Sequence, residues 1–159
     1  MSKLLSVFGL VAWLLVTFLV AAVGSRATMP AIPGWYAGLV KPWFTPPGWL
    51  FGPVWTALYA MMAVAAWLVW RKAGFAGAGL ALGIFLAQLI LNGMWSVVFF
   101  GNHNIGGALL VIGLLWLGIL ATLLLFWRQA PVAGWLLVPY LAWVSFASVL
   151  NYALWTLNR

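Results

Sequence analysis

The stretch I-G-G-A-L-L-V-I-G-L-L-W-L-G-I-L-A-T-L-L-L-F-W, Ile105 to Trp127, contains no charged residue and no proline. As a helix rising 1.5 Å per residue it is about 34 Å long, enough to cross a hydrocarbon core of roughly 30 Å. Working outward, residues 4–23, 49–70, 78–100 and 133–157 form four more apolar runs, each about 20 to 25 residues in length. A membrane barrel is built from short strands of alternating polarity, whereas these runs are apolar throughout. The pattern predicts an all-α integral membrane protein: a bundle of five transmembrane helices in one domain covering residues 1–159. The connections at 71–77, 101–104 and 128–132 are short, so consecutive helices are expected to be antiparallel neighbours.

Composition agrees and narrows the chemistry. Of 159 residues, 67% are hydrophobic and 4% charged, against roughly 25% charged in soluble domains. There are seven Lys plus Arg, no Asp, no Glu, one His and no Cys. Carboxylate acid/base pairs, carboxylate metal cages and acidic proton relays are therefore excluded. Thiolate nucleophiles, disulfides, iron–sulfur clusters and zinc sites are excluded as well, so no metal site is expected. The cations must find their anions in lipid headgroups, in solution or on an acidic ligand. They are scattered singly, which argues against nucleic acid as a partner. Residues 4–23 exceed the usual core of a signal peptide and no small-x-small site follows, so this run is expected to remain as a membrane helix. Lys3, Arg71, Lys72 and Arg128 fall on one side of a five-helix bundle, and Arg26, Lys41 and Arg159 on the other. That bias favours an N-terminus in the cytoplasm.

Residues 24–48 hold five of the eight prolines together with Trp35, Tyr36, Trp43 and Phe44. Proline limits the unfolded chain and aromatics pack at an interface, so an ordered cap over one end of the bundle is expected. In the third run Gln88, Asn92, Trp95 and Phe99 share one helical face, while Gly79, Gly83 and Ala87 share another. Small residues four apart let helices approach closely, within a monomer or across a homodimer. Asn92 lies mid-span, where an amide cannot face lipid, and must face protein or a cavity. Trp55, Tyr59 and Met62 form a similar stripe in the second run, as do Trp143, Ala147 and Leu150 in the fifth. Thirteen tryptophans exceed what interfacial belts need. Those placed deep in their runs, among them Trp55, Trp95 and Trp143, suit either bundle packing or a pocket for a flat apolar ligand. His103, alone in a short loop, reads as a surface residue. Leu150, Tyr152 and Arg159 miss the sterol-contact pattern by one residue of spacing.

The segment W-Y-A-G-L-V-K-P-W-F-T-P-P-G-W-L-F-G-P-V-W-T-A-L-Y, Trp35 to Tyr59, closely resembles the first loop and second helix of the translocator protein family. These are also known as tryptophan-rich sensory proteins or peripheral benzodiazepine receptors. L-N-G-M-W-S-V-V-F-F-G (91–101) and P-Y-L-A-W-V-S-F-A-S-V-L-N (139–151) extend the resemblance over nearly the whole chain, in the manner of a bacterial-type member. The resemblance implies a five-helix bundle that needs no resident cofactor. Its pocket would bind porphyrins, haem and benzodiazepine-type ligands, with cholesterol recognised by animal members. Carried over by position, the pocket would be lined by Trp35 from the cap and by Trp49, Trp55 and Tyr59 from the second helix. The third helix would add Asn92, Trp95 and Phe99, and the fifth Trp143, Phe146, Ala147 and Leu150. Bacterial relatives are linked to light-dependent porphyrin breakdown, for which Trp143 is the candidate. Receptor, passive carrier and photochemical enzyme all remain open at this point. Unlike most relatives, this chain carries no acid in the fourth helix, reading Val111, Ile112 and Gly113.

Overall fold

The computed structural model describes residues 1–159. It is all-helical, with four helices long and apolar enough to cross a membrane: α1 (Lys3–Thr28), α2 (Gly48–Ser96), α3 (Ile105–Gln129) and α4 (Pro131–Leu157). A π-helical turn, Val97–Gly101, follows α2, and a short 3-10 turn, Tyr36–Gly38, lies in the cap. Three of the four starts have a local cause. The Ser2 hydroxyl accepts the Leu5 N–H at 3.2 Å, and Asn104 Oδ1 accepts the Gly107 N–H at 2.8 Å, satisfying donors that a first turn leaves free. α4 opens on Pro131, whose missing N–H costs nothing there.

The count of five separate helices is corrected to four elements, because the stretches expected at 49–70 and 78–100 are one 49-residue helical element. The connection expected at 71–77 is not an open loop. The helix is interrupted only at Gly74 (φ 62°, ψ −177°) and Ala78 (φ −127°, ψ 22°). Glycine supplies the positive φ that a side-chain-bearing residue resists. Tyr59 and Asn92, 33 positions apart, are hydrogen-bonded, although a straight helix would hold them about 50 Å apart. α2 therefore doubles back at this break, and its two arms, residues 48–73 and 79–96, lie side by side. Lys72 Nζ donates to the Gln129 carbonyl at 2.6 Å and Gln129 Nε2 to the Gly77 carbonyl at 3.2 Å. The break is thus tied to the α3–α4 turn at the end of the bundle away from the cap.

Two buried clusters fill the bundle. The larger includes Met62, Ala66, Phe85, Ile119, Phe126 and Val144, all fully buried, with Phe85 stacked on Phe126 at 5.7 Å. The smaller joins the cap to the helix ends through Ala31, Tyr36, Phe99, Phe100, Leu150 and Leu154. Large apolar side chains such as Leu4, Phe8, Leu15, Leu110 and Leu114 point outward, as suits a surface facing lipid. Gly79, Gly83 and Ala87 are exposed too. A Cβ at Gly79 or Gly83 meets nothing within 4 Å, so this small-residue face does no packing inside the chain.

Gly9 shows the opposite situation. A Cβ there would fall 2.0 Å from the Trp70 ring, so the glycine is what lets α1 seat against that indole. Gly9→Ala is expected to destabilise the protein by about 1–3 kcal/mol through overpacking. Gly113→Ala, at an open position on α3, should hold or raise the melting temperature because alanine favours helix. Thermal unfolding of the two variants in one detergent checks the contrast.

Candidate functional site

Beneath the cap lies a cavity of about 620 Å³, within the range of small-molecule sites. Most of its wall is apolar or aromatic. The first arm of α2 contributes Trp49, Phe51, Trp55 and Tyr59; the second arm and its π-turn contribute Trp95, Phe99 and Phe100; α4 contributes Trp143, Phe146, Ala147 and Leu150. α1 supplies Phe18, Ala22 and Ser25, and the cap supplies Met29, Ile32 and Tyr36. The rings lock one another. Phe51 meets Trp143 edge-on at 6.2 Å and Tyr36 at 6.4 Å, Trp55 lies 5.7 Å from Tyr59, and Trp95 stacks on Phe99 at 5.2 Å.

Two residues anticipated for the wall sit one layer behind it. Trp35 is not part of the lining: it packs edge-on against Phe99 at 5.6 Å and stacks face to face on His103 at 4.3 Å. His103, though exposed, is held by that stack in a left-handed backbone conformation, φ 55°, which few side chains adopt. Asn92 is 2% exposed and belongs to a polar chain below the cavity floor. The Tyr59 hydroxyl donates to Asn92 Oδ1, Asn92 Nδ2 donates to the Tyr140 hydroxyl at 2.8 Å, and that hydroxyl donates to Gln88 Oε1 at 2.7 Å. The face expected to carry Gln88, Asn92, Trp95 and Phe99 is therefore divided, its amides forming the floor support and its rings forming the wall. Tyr59 has committed its only proton downward, so toward the cavity it offers lone pairs alone.

Buried indoles need partners, and most find them. Trp67 Nε1 donates to the Ser6 carbonyl at 2.8 Å, Trp95 Nε1 to Asn151 Oδ1 at 2.9 Å and Trp116 Nε1 to the Ser145 hydroxyl at 2.8 Å. Two buried side-chain polar atoms have none: the Tyr36 hydroxyl and Trp143 Nε1. Both residues line the cavity and both pack on Phe51. An unpaired buried donor costs about 1–3 kcal/mol, so this pair is a standing demand for a hydrogen-bond acceptor. Burial raises the Tyr36 phenol above its ordinary pKa, keeping it protonated and able to donate. Lys41 Nζ sits 4.9 Å over the Tyr36 ring and donates to the Ala37 and Leu39 carbonyls at 3.1 and 3.2 Å, adding positive charge at the cap. No three His, Cys, Asp or Glu side chains gather anywhere to hold a metal ion.

Sequence reasoning named Tyr36 as a cap aromatic but assigned neither it, nor Phe51, nor the α1 wall to the pocket. Tyr36 sits in an aperiodic loop, and α1 carries no polar or aromatic stripe, so periodicity offers no signal for either. Trp13 and Trp116, which also lie deep in their apolar runs, serve packing: Trp13 meets Phe85 edge-on at 5.7 Å, and Trp116 ties α3 to α4 through Ser145.

The floor chain yields a prediction. Asn92→Leu removes the acceptor of Tyr59 and one donor to Tyr140, and should destabilise the protein by about 1–3 kcal/mol. Adding Tyr59→Phe should recover part of that loss, because the stranded hydroxyl is gone. A double-mutant cycle by thermal or denaturant unfolding measures it, and strict additivity would contradict the assignment.

Comparison with known proteins places this architecture. Residues 12–156 match the model of the TspO/MBR family. The chain is 38% identical to the tryptophan-rich protein TspO of Archaeoglobus fulgidus over 154 residues, 97% of this chain and 99% of that one. It is 41% identical to the tryptophan-rich sensory protein of Cereibacter sphaeroides over 149 residues, 92% of each chain. It is also 41% identical to the human translocator protein over 139 residues, 86% of this chain and 82% of that one. With the match running through all four helices and the cap between them, the chain is a multi-pass integral membrane protein that belongs to the TspO/MBR family.

Proposed function

We propose that the protein is a membrane receptor for flat, largely apolar molecules that carry hydrogen-bond acceptors, with porphyrins the leading class. The observation that carries this reading is the pair of unpartnered buried donors, Tyr36 and Trp143, in the wall of an aromatic cavity. A porphyrin offers a broad face for Trp55, Trp95 and Trp143 and propionates that accept hydrogen bonds. No Asp or Glu side chain exists to repel those propionates. His103 is stacked on Trp35 outside the lining, so recognition rests on the ring and its side groups rather than on histidine ligation of haem iron. Benzodiazepine-type and sterol-like molecules with a suitably placed acceptor fit the same wall.

Within this reading each arm of α2 crosses the membrane, giving five crossings with the cap at one face, and the charge bias puts the N-terminus in the cytoplasm. The outward Gly79, Gly83 and Ala87 face serves a homodimer, since nothing in the chain covers it.

Titrating purified protein with protoporphyrin IX, dark and illuminated, tests the function. Saturable quenching of tryptophan fluorescence in the dark is expected; its absence refutes the receptor reading. Light-driven porphyrin loss above a lipid blank would add photochemistry, with Trp143 as the candidate participant. Tyr36→Phe and Trp143→Phe should each weaken dark binding by about fivefold, roughly 1 kcal/mol. Tyr36→Phe should not lower the melting temperature of the free protein, because the hydroxyl removed is unpaired there. For the dimer, Gly83→Leu should reduce the cross-linked dimer fraction in detergent while porphyrin still binds. An unchanged fraction would remove that face from the interface.

A further inference from the structure

The route by which a ligand reaches the cavity follows from the course of α1, given the binding function proposed above. Near its N-terminus α1 lies on the first arm of α2: the Trp67 indole donates to the Ser6 carbonyl at 2.8 Å, and the Trp70 ring covers Gly9. Near its C-terminus α1 lies on the second arm instead. Val20 comes within 3.2 Å of a Cβ placed on Gly93, and the Ser96 hydroxyl within 3.1 Å of one placed on Gly24. On the π-turn that follows, Ala27 comes within 3.6 Å of a Cβ placed on Gly101. The helix therefore crosses from one arm to the other.

Where it leaves the first arm, Phe18 and Tyr59 touch at 6.1 Å between ring centroids. Toward the cap from that contact, the facing edges of α1 and α2 carry small side chains: Ala22 and Ser25 on one, Gly52 and Thr56 on the other. All four line the cavity, and all four are exposed rather than covered by a neighbouring helix. Small, uncovered side chains on both facing edges leave the seam between the two helices unfilled at this height. A Cβ at Gly52 would meet nothing within 4 Å, and Trp49, 73% exposed, stands beside the gap.

The water-facing side is fastened. The Val40 N–H donates to Asn158 Oδ1 and Asn158 Nδ2 donates back to the Val40 carbonyl, both at 2.8 Å, so the end of α4 grips the cap by two points. The Trp35–His103 stack at 4.3 Å pins it a second time, and Ile32 seats against Gly48, 3.6 Å from where a Cβ would lie.

We propose that ligand passes between cavity and bilayer sideways, through the seam between α1 and the first arm of α2, while the Asn158–Val40 clamp and the Trp35–His103 stack keep the cap closed toward water. An apolar ligand is concentrated in hydrocarbon, so an opening there meets it at far higher local concentration than an opening to solvent.

The absence of cysteine makes the test direct. Gly52→Cys introduces one thiol at the rim of the seam, which a bulky maleimide can label after folding and reconstitution into lipid vesicles. Stopped-flow quenching of tryptophan by protoporphyrin IX, preloaded in the vesicle bilayer, is measured on the same preparation before and after labelling. Association and dissociation are both expected to slow at least tenfold on labelling, and Asn158→Ala should leave both rates of unlabelled protein within twofold. Rates unaffected by the label, or rates raised tenfold by Asn158→Ala, would overturn the lateral route and assign exchange to the cap. If the parent protein shows no saturable quenching at all, the receptor function itself fails and the route falls with it. Binding in the parent with unaltered rates after labelling refutes the seam alone.

Discussion

The hydrogen-bonded run from Tyr59 through Asn92 and Tyr140 to Gln88 is the interaction on which the rest of the bundle depends. It joins both arms of α2 to α4 at a depth where water supplies no alternative partner, so every link is either made in the chain or lost outright. Its direction matters as well as its presence. Each hydroxyl proton points down the chain, away from the cavity, and Tyr59 thereby faces the site as an acceptor only. The fold break at Gly74 and the polar chain are two ends of one arrangement: the first lets α2 reverse, and the second holds its arms in register.

That thrift with polar groups defines the site by contrast. Trp67, Trp95 and Trp116 hand their N–H groups to a backbone carbonyl, a side-chain amide oxygen and a hydroxyl, and the threonines and serines within the helices mostly bond back to the preceding turn. Against this background the Tyr36 hydroxyl and Trp143 Nε1 stand out, because both are buried and neither is paired. Their cost is borne by a structure in which the surrounding rings are tightly interlocked. Only a molecule in the cavity can relieve it.

The oblique course of α1 adds a second consequence of packing. Gly9, Gly24 and Gly93 permit close approach at different heights and to different neighbours, and the helix is thereby steered across the face of α2 rather than along it. The seam proposed for ligand passage lies where α1 has left the first arm. A two-point amide clamp at the far end of α4 holds the cap over the cavity.

Much of this protein was legible in its residues alone. Continuous apolar runs without charge dictate membrane helices, because unpaired backbone groups are untenable in hydrocarbon. Seven cations without a single acid exclude whole classes of chemistry, and the Trp35 to Tyr59 segment identifies the family. Periodicity also separated the small-residue face of Gly79 and Gly83 from the face of Asn92, as the structure shows. What periodicity cannot supply is the neighbour that covers each face. Trp35 and Asn92 were assigned to the pocket by position, yet one braces the wall and the other supports the floor, because the rings of Phe99 and Tyr59 stand in front of them. The helical reversal at Gly74, the unpaired donors of Tyr36 and Trp143 and the gap beside Gly52 depend on contacts between segments distant in the chain. Those contacts exist only once all the helices are packed together, and so only the tertiary structure decides them.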